Sequence, residues 1–166
     1  MNLRIAAAGA AAAVMICAGC REVAGPVATD LGSRASVWLP DSTAILAHSD
    51  FSSYGTATRT VVSDAVTWAL AWNRICGGVQ PPPPKPAVDF GAERVLVVAL
   101  GQRYSGGFDI HVDSVVQFQS GTRVYLTTSS PGSNAITIAV LTAPVQAVRV
   151  PAPREPVVFE ERHVGP

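Results

Sequence analysis

Asp109, His111 and Asp113 recur at alternate positions, the spacing at which a β-strand places side chains on one face. Two carboxylates and an imidazole in reach of one another are donor types that bind a divalent metal such as zinc. The wetted face of any half-buried strand carries the same alternation, and Phe108, Ile110 and Val112 supply the apolar side here. No cysteine and no second histidine lies close by in sequence, so the solvent-face reading is preferred; metal ligands and cofactors are expected to be none. The other reactive residues are scattered. His48 and His163 have no motif around them, and His163 stands beside Glu160 and Glu161 in what reads as a solvated tail. Cys76 follows Ile75 at the end of a helical pattern, where a thiol is usually a small core residue. The chain has neither a nucleophile-elbow sequence nor a glycine loop for phosphate, and the expectation is a protein that is not an enzyme.

Cys20 offers chemistry of a different kind. Arg4 opens the chain with a positive charge, residues 5–16 are apolar or small, and Cys17-Ala18-Gly19 leads into Cys20. A dozen such residues suit a signal-peptide core and fall short of the ~20 a membrane-spanning helix needs. The segment resembles the bacterial lipobox, with Ala18 and Gly19 matching and Cys17 standing where an aliphatic residue is usual. The resemblance implies removal of residues 1–19 and lipidation of Cys20. Acyl chains at about 0.8 kcal/mol per buried methylene then hold the product to a membrane of the bacterial cell envelope, facing the periplasm or the exterior.

Composition narrows the rest. Cleavage before Cys20 leaves 147 of the 166 residues, enough for one domain with a buried core. Loss of Arg4 takes one of twelve basic charges against twelve acidic ones, so the product is close to neutral, and no basic stripe offers a nucleic acid a surface. Of the three cysteines, Cys17 leaves with the leader and Cys20 is modified, so Cys76 has no partner and no disulfide framework is expected.

The elements that must position any site follow from periodicity. Residues 20–40 show no sustained period and read as a flexible tether, with one β-rich domain over 41–162. Residues 43–47 read as a first strand. Between 63 and 76, Ala65, Trp68, Ala69, Trp72 and Ile75 recur at three and four, which predicts an amphipathic helix capped by Ser63 or Asp64 and ended by Gly77-Gly78, its indoles packed on the core. The run Gln-Pro-Pro-Pro-Pro-Lys-Pro at 80–86 predicts a stiff connector. Residues 94–100 form a continuous apolar run of the central-strand type, and 108–113, 122–128, 135–141, 145–150 and 157–160 read as further strands separated by Gly and Pro turns. The expected fold is mainly β, an antiparallel β-sandwich or open barrel with one appended helix.

Tyr104-Ser105-Gly106-Gly107-Phe108 is the turn best suited to recognition. Its glycines can adopt positive φ and expose backbone amides, while Tyr104 and Phe108 flank them as rigid contacts. These five residues are the candidate partner-binding set; the competing reading is a hairpin whose glycines only make the bend.

Taken in order, Trp68 and Trp72, the proline bridge, Val88-Asp89-Phe90, the strand ending at Gly101, Tyr104 through Ile110, and Thr142-Ala143-Pro144 with Val148-Arg149-Val150-Pro151 resemble the PrcB C-terminal domain. The resemblance covers about residues 60 to 160. It implies a domain without catalytic machinery that assists or stabilises a partnered protease in the cell envelope. The Ser-Gly-Gly-Phe turn also faintly resembles the loop of chagasin-type peptidase inhibitors, although the companion Arg-Pro-Trp loop is missing after Thr128. An inhibitor and an orphan structural or ligand-binding lipoprotein are the alternative readings.

Overall fold

The computed structural model describes residues 34–77 and 79–165. Residues 1–33, with the expected leader, Cys20 and the first part of the expected tether, and Gly78 lie outside the described residues. The described chain runs β1 (Arg34–Trp38), β2 (Ile45–Ser49), β3 (Thr58–Val62), α1 (Ala65–Ile75), β4 (Glu93–Ala99), β5 (Asp109–Phe118), β6 (Gly121–Ser129), β7 (Val145–Pro151) and β8 (Val157–Val164). The strands form two four-stranded sheets, one in the order β1-β5-β6-β8 and the other β2-β7-β4-β3. Among the described residues the fold is a β-sandwich with one helix, and the strands do not close into a barrel.

β4 explains the layering. Leu96, Val98 and Leu100 point between the sheets, where they meet Ile110, Val112 and Val115 of β5 and Val124 and Leu126 of β6. Val95, Val97 and Ala99 point the other way and pack with Trp68, Ala71, Trp72 and Ile75 of α1. A strand covered on both faces has no use for alternation, which is why the residues from Val95 to Leu100 are an unbroken apolar run.

Asp64 caps α1. Its Oδ1 accepts the backbone N–H groups of Thr67 at 2.8 Å and Val66 at 2.9 Å, and Oδ2 accepts the Thr67 hydroxyl. The backbone bond from Thr67, then that hydroxyl, hold the Asp64 carboxyl below its ordinary pKa. The helix buries Trp68, Ala71, Trp72 and Ile75; Ala65 of the expected stripe is exposed, and Ala71 takes a place in the buried face. Trp68 and Trp72 lie with ring centroids 5.4 Å apart. The proline bridge folds back over them: the indole N–H of Trp68 donates to the Pro86 carbonyl at 3.0 Å and that of Trp72 to the Pro83 carbonyl at 2.9 Å. A polyproline stretch has carbonyls with no ladder to enter, so they are free to satisfy two donors that burial would otherwise strand.

Four features depart from the expectations. β1 falls inside the span read as tether and pairs antiparallel with β5 from Arg34↔Phe118 to Trp38↔Val115, so the folded part begins before residue 41. β8 continues to Val164 and pairs parallel with β6 along its length, which also puts His163 in a strand rather than a tail. The parallel pair follows from connectivity, because β6 crosses to β7 in the other sheet before the chain returns as β8. β3, with its β-branched Thr-Arg-Thr-Val-Val, pairs with β4 as an edge strand that the sequence pattern did not reveal. Residues 135–141, expected as a strand, join neither sheet.

The sheets are tied at their sides. On one side Arg59 of β3 reaches Glu161 of β8 at 2.7 Å. Burial pushes the Glu161 carboxyl up, but hydrogen bonds from Arg59 and Thr128 and the charges of Arg59 and His163 outweigh it and leave the pKa below its ordinary value. A depressed carboxylate contributes stability above its unfolded pKa, about 4.3, and that contribution vanishes as pH falls through the lower folded value. Wild type should therefore melt slightly higher than Glu161→Gln at pH 7, and the gap should close as the pH is lowered through about 4. Melting curves of the two proteins across that range check it; a gap that persists in acid would remove the ion pair from the seam.

Candidate functional site

β4 and β5 belong to different sheets, so the segment joining them is a crossover at one end of the sandwich and not a hairpin. The chain leaves β4 at Gly101, which has φ +75 and packs against the backbone of Thr56 and Ala57. It then runs alongside the β6–β7 connection. Arg103 and Thr142 exchange two backbone hydrogen bonds, at 2.8 and 2.9 Å. The Thr142 hydroxyl donates to the Ser105 carbonyl at 2.9 Å, and the Gly106 N–H donates to the Ile138 carbonyl at 3.1 Å. The Tyr104 to Phe108 turn is thus one half of a two-loop platform whose other half is residues 130–144.

Within the turn the two aromatics have opposite fates. Tyr104 is 85% exposed, whereas Phe108 packs against the inter-sheet core beneath the Arg103 guanidinium. Phe108 is therefore an anchor and Tyr104 a contact. Of the two glycines only Gly107 has positive φ, at +88; a Cβ there would lie 3.1 Å from Pro131 and 3.6 Å from the Thr137 methyl. Gly106 has open space around it and holds the loops together through its N–H. The expectation that both glycines take positive φ is corrected on this point. The neighbouring loop adds Ile136, fully exposed, and Ile138, 77% exposed, which the sequence reading had placed in a strand. A run of alternating apolar residues without charge, bracketed by turn residues, was the signal for them, and it reads equally as a sheet strand.

The Asp109, His111 and Asp113 row starts where this platform ends and lies on the outer face of β5. The fold adds a residue no local spacing shows: His48 of β2 brings its Nε2 to 2.6 Å from Asp109 Oδ1. His111 Nε2 lies 3.1 Å from Asp113 Oδ1, and its Nδ1 is 3.8 Å from Asp109 Oδ2. Asp113 also accepts the Thr127 hydroxyl at 2.7 Å. Imidazoles and carboxylates alternate along this row and pair with each other. Among the described residues, no group of three His, Cys, Asp or Glu side chains is arranged to hold a metal ion. Beside the row, the Gln146 side chain accepts the Val112 N–H at 2.7 Å, so β7 and β2 are stapled to the half of β5 that β1 does not cover.

The remaining reactive groups have local partners. His163 Nε2 is 3.2 Å from the Ser130 hydroxyl, and its Nδ1 faces the Thr128 hydroxyl at 3.1 Å, where a nucleophile triad needs a carboxylate. Cys76 is half-buried against the helix cluster, and burial pushes its thiol pKa up, away from the thiolate. It lines an open apolar cleft with Phe51, Trp72, Val79 and Pro83. No described helix is long and apolar enough to cross a membrane.

Among curated proteins and solved structures, none matches the chain. A family model described as PrcB C-terminal matches residues 94–151. That stretch runs from β4 through both platform loops to the end of β7, so it contains the central strand and every residue of the candidate contact surface named above. Residues 94–151 of this chain carry the PrcB C-terminal family signature, the family its sequence resembles.

Proposed function

We propose that this protein is a lipid-anchored component of the bacterial cell envelope that acts without catalysis, binding and stabilising a partner protease through the two-loop platform. The observation that carries the reading is the side-by-side display of Tyr104, Ile136 and Ile138 on loops braced by their own backbone hydrogen bonds. Rigid, exposed, apolar side chains held by a scaffold are what protein recognition uses, because little conformational freedom is lost when they are covered. The family match supports a protease-associated role, and the Cys20 leader pattern supports the anchor.

Crosslinking in intact cells followed by mass spectrometry tests both parts on the full chain. Wild type is expected to capture a protease and to take up a fatty-acid label; Tyr104→Ala should reduce capture without lowering the melting temperature, and Cys20→Ser should lose the label. Capture that slows the protease's turnover identifies an inhibitor in place of a stabiliser. Capture of no protease overturns the partner assignment, and label retained in Cys20→Ser overturns the anchor.

A further inference from the structure

The two broad faces of the sandwich carry different chemistry. On the outer face of β5, β6 and β8, Asp109, Asp113 and Glu160 stand with Arg123 and Arg162, so the surface is polar and of mixed charge. The opposite face is covered by α1 and the proline bridge. From Ala65 to Val88 the chain there holds two cations, Arg74 and Lys85, and no acidic residue. Both cations are exposed.

α1 departs from the usual surface helix. At 3.6 residues per turn, Val66, Leu70 and Asn73 fall on the side opposite Trp68, Ala71, Trp72 and Ile75, where charged residues are the rule. Instead Val66 is 74% and Leu70 63% exposed. Phe51 and Val79, also exposed, stand on the apolar cleft beside the C-terminal end of the helix. An apolar surface bordered by cations fits an anionic membrane, because the apolar side chains enter the headgroup boundary while Arg and Lys reach the lipid phosphates.

The chain that precedes the described residues permits this contact. Residues 20–33, from the expected anchor at Cys20, number 14 and reach at most about 50 Å, against about 33 Å for the ten residues of β5. A tether of that length lets a broad face turn to the bilayer, and it makes the contact intramolecular, so a weak face is enough. A second copy fits less well, since two such faces would gather four cations and no carboxylate from residues 65–88.

We propose that the face formed by α1 and the proline bridge docks on the anionic phospholipid surface of the membrane that holds the chain, with Val66, Leu70, Phe51 and Val79 at the headgroup boundary and Arg74 and Lys85 on lipid phosphates. The inference rests on the anchored reading above and adds the orientation of the domain. The two-loop platform, at one end of the sandwich, stays open to a protein partner.

The test uses the protein as recovered from membranes with its lipid attached, reconstituted into vesicles of phosphatidylglycerol or of phosphatidylcholine and probed by hydroxyl-radical footprinting. In phosphatidylglycerol, oxidation of Leu70 and Phe51 should fall about fivefold or more relative to phosphatidylcholine, while Tyr104 stays equally reactive. High salt should reverse the difference. Lys85→Glu should return Leu70 and Phe51 to their reactivity in phosphatidylcholine, and Val66→Ser with Leu70→Ser should do the same at Phe51. Melting temperatures equal to wild type separate docking from folding; Lys85 is exposed, so its variant carries the test where the helix variant is destabilised. Equal reactivity of Leu70 and Phe51 in the two lipids, or shielding that survives Lys85→Glu, overturns the docking face and leaves the anchor standing. Shielding that grows with protein density at constant lipid marks a second copy, and shielding of Tyr104 in place of Leu70 marks the platform; either overturns the assignment. A recovered chain without acyl mass removes the anchor reading and this inference with it.

Discussion

Gly101→Ala is expected to destabilise the domain by about 2–5 kcal/mol, combining roughly 1–2 for a side chain held in the left-handed region with about 1–3 for the overpacking it forces. The φ of +75 is one cause. The other is contact: a Cβ would lie 2.7 Å from the Thr56 carbonyl carbon, 2.8 Å from the Ala57 nitrogen and 2.9 Å from the Thr56 Cα. All three are backbone atoms leading into β3, so relief requires moving the chain that feeds an edge strand. Neighbouring bonds resist such a shift, because Gln102 donates to the Gly55 carbonyl and Leu100 to the Pro144 carbonyl. Gly106→Ala is the control. It meets nothing within 4 Å and has no positive φ, and its effect should stay within about 0.5 kcal/mol. Urea unfolding of both variants checks the contrast; a Gly101→Ala midpoint at the wild-type value would mean that β3 is not pinned at this crossing. Loss of partner capture in Gly101→Ala would then report unfolding, whereas capture by Gly106→Ala reports the platform itself.

That contrast also marks the limit of what the sequence discloses. Gly101 and Gly106 look alike in the chain, and only the crossing of β4 over residues 55–57 makes one of them irreplaceable. Features set by local period were readable: the three-and-four spacing of Trp68, Trp72 and Ile75 gave α1, and the unbroken run into Leu100 gave a strand covered on both faces. Features set by distant pairing were not. β1 and β3 are five-residue edge strands whose identity depends on β5 and β4, and the parallel register of β8 depends on the chain crossing sheets through β7. His48 reaches Asp109 across 61 residues, so nothing near Asp109 announces it. Residues 135–141 show the converse, a strand pattern with no partner strand. Tyr104 and Phe108 were both legible as candidate contacts, but which of them faces solvent was decided by Arg103 and the inter-sheet core.

Trp68→Ala should cost about 3–5 kcal/mol, the range for truncating a large aromatic in a packed core, and so a large part of the 5–15 kcal/mol typical of a domain. Trp68 is fully buried and sits where α1, the outer face of β4 and the proline bridge meet. Its indole does two jobs that separate substitutions can distinguish. Trp68→Phe keeps most of the apolar filling but removes the donor to the Pro86 carbonyl, leaving that acceptor without its partner; it should cost about 1–3 kcal/mol through the unmade bond and the smaller ring. If the indole served only as filling, Trp68→Phe would lower stability through the smaller ring alone and leave the bridge as protected from proteolysis as in wild type. If the bond to Pro86 also holds the bridge down, Trp68→Phe should raise thermolysin cleavage at the Ala87–Val88 bond before global unfolding, because that bond follows the carbonyl the Trp68 indole holds and Val88 packs against the helix cluster. Denaturant midpoints with timed thermolysin digestion separate the outcomes. Equal protection of the Ala87–Val88 bond in wild type and Trp68→Phe would show that the bridge is held by Trp72 and packing alone. Accelerated cleavage would establish that a segment unable to enter any ladder is fastened through its carbonyls, and that α1 supplies both donors.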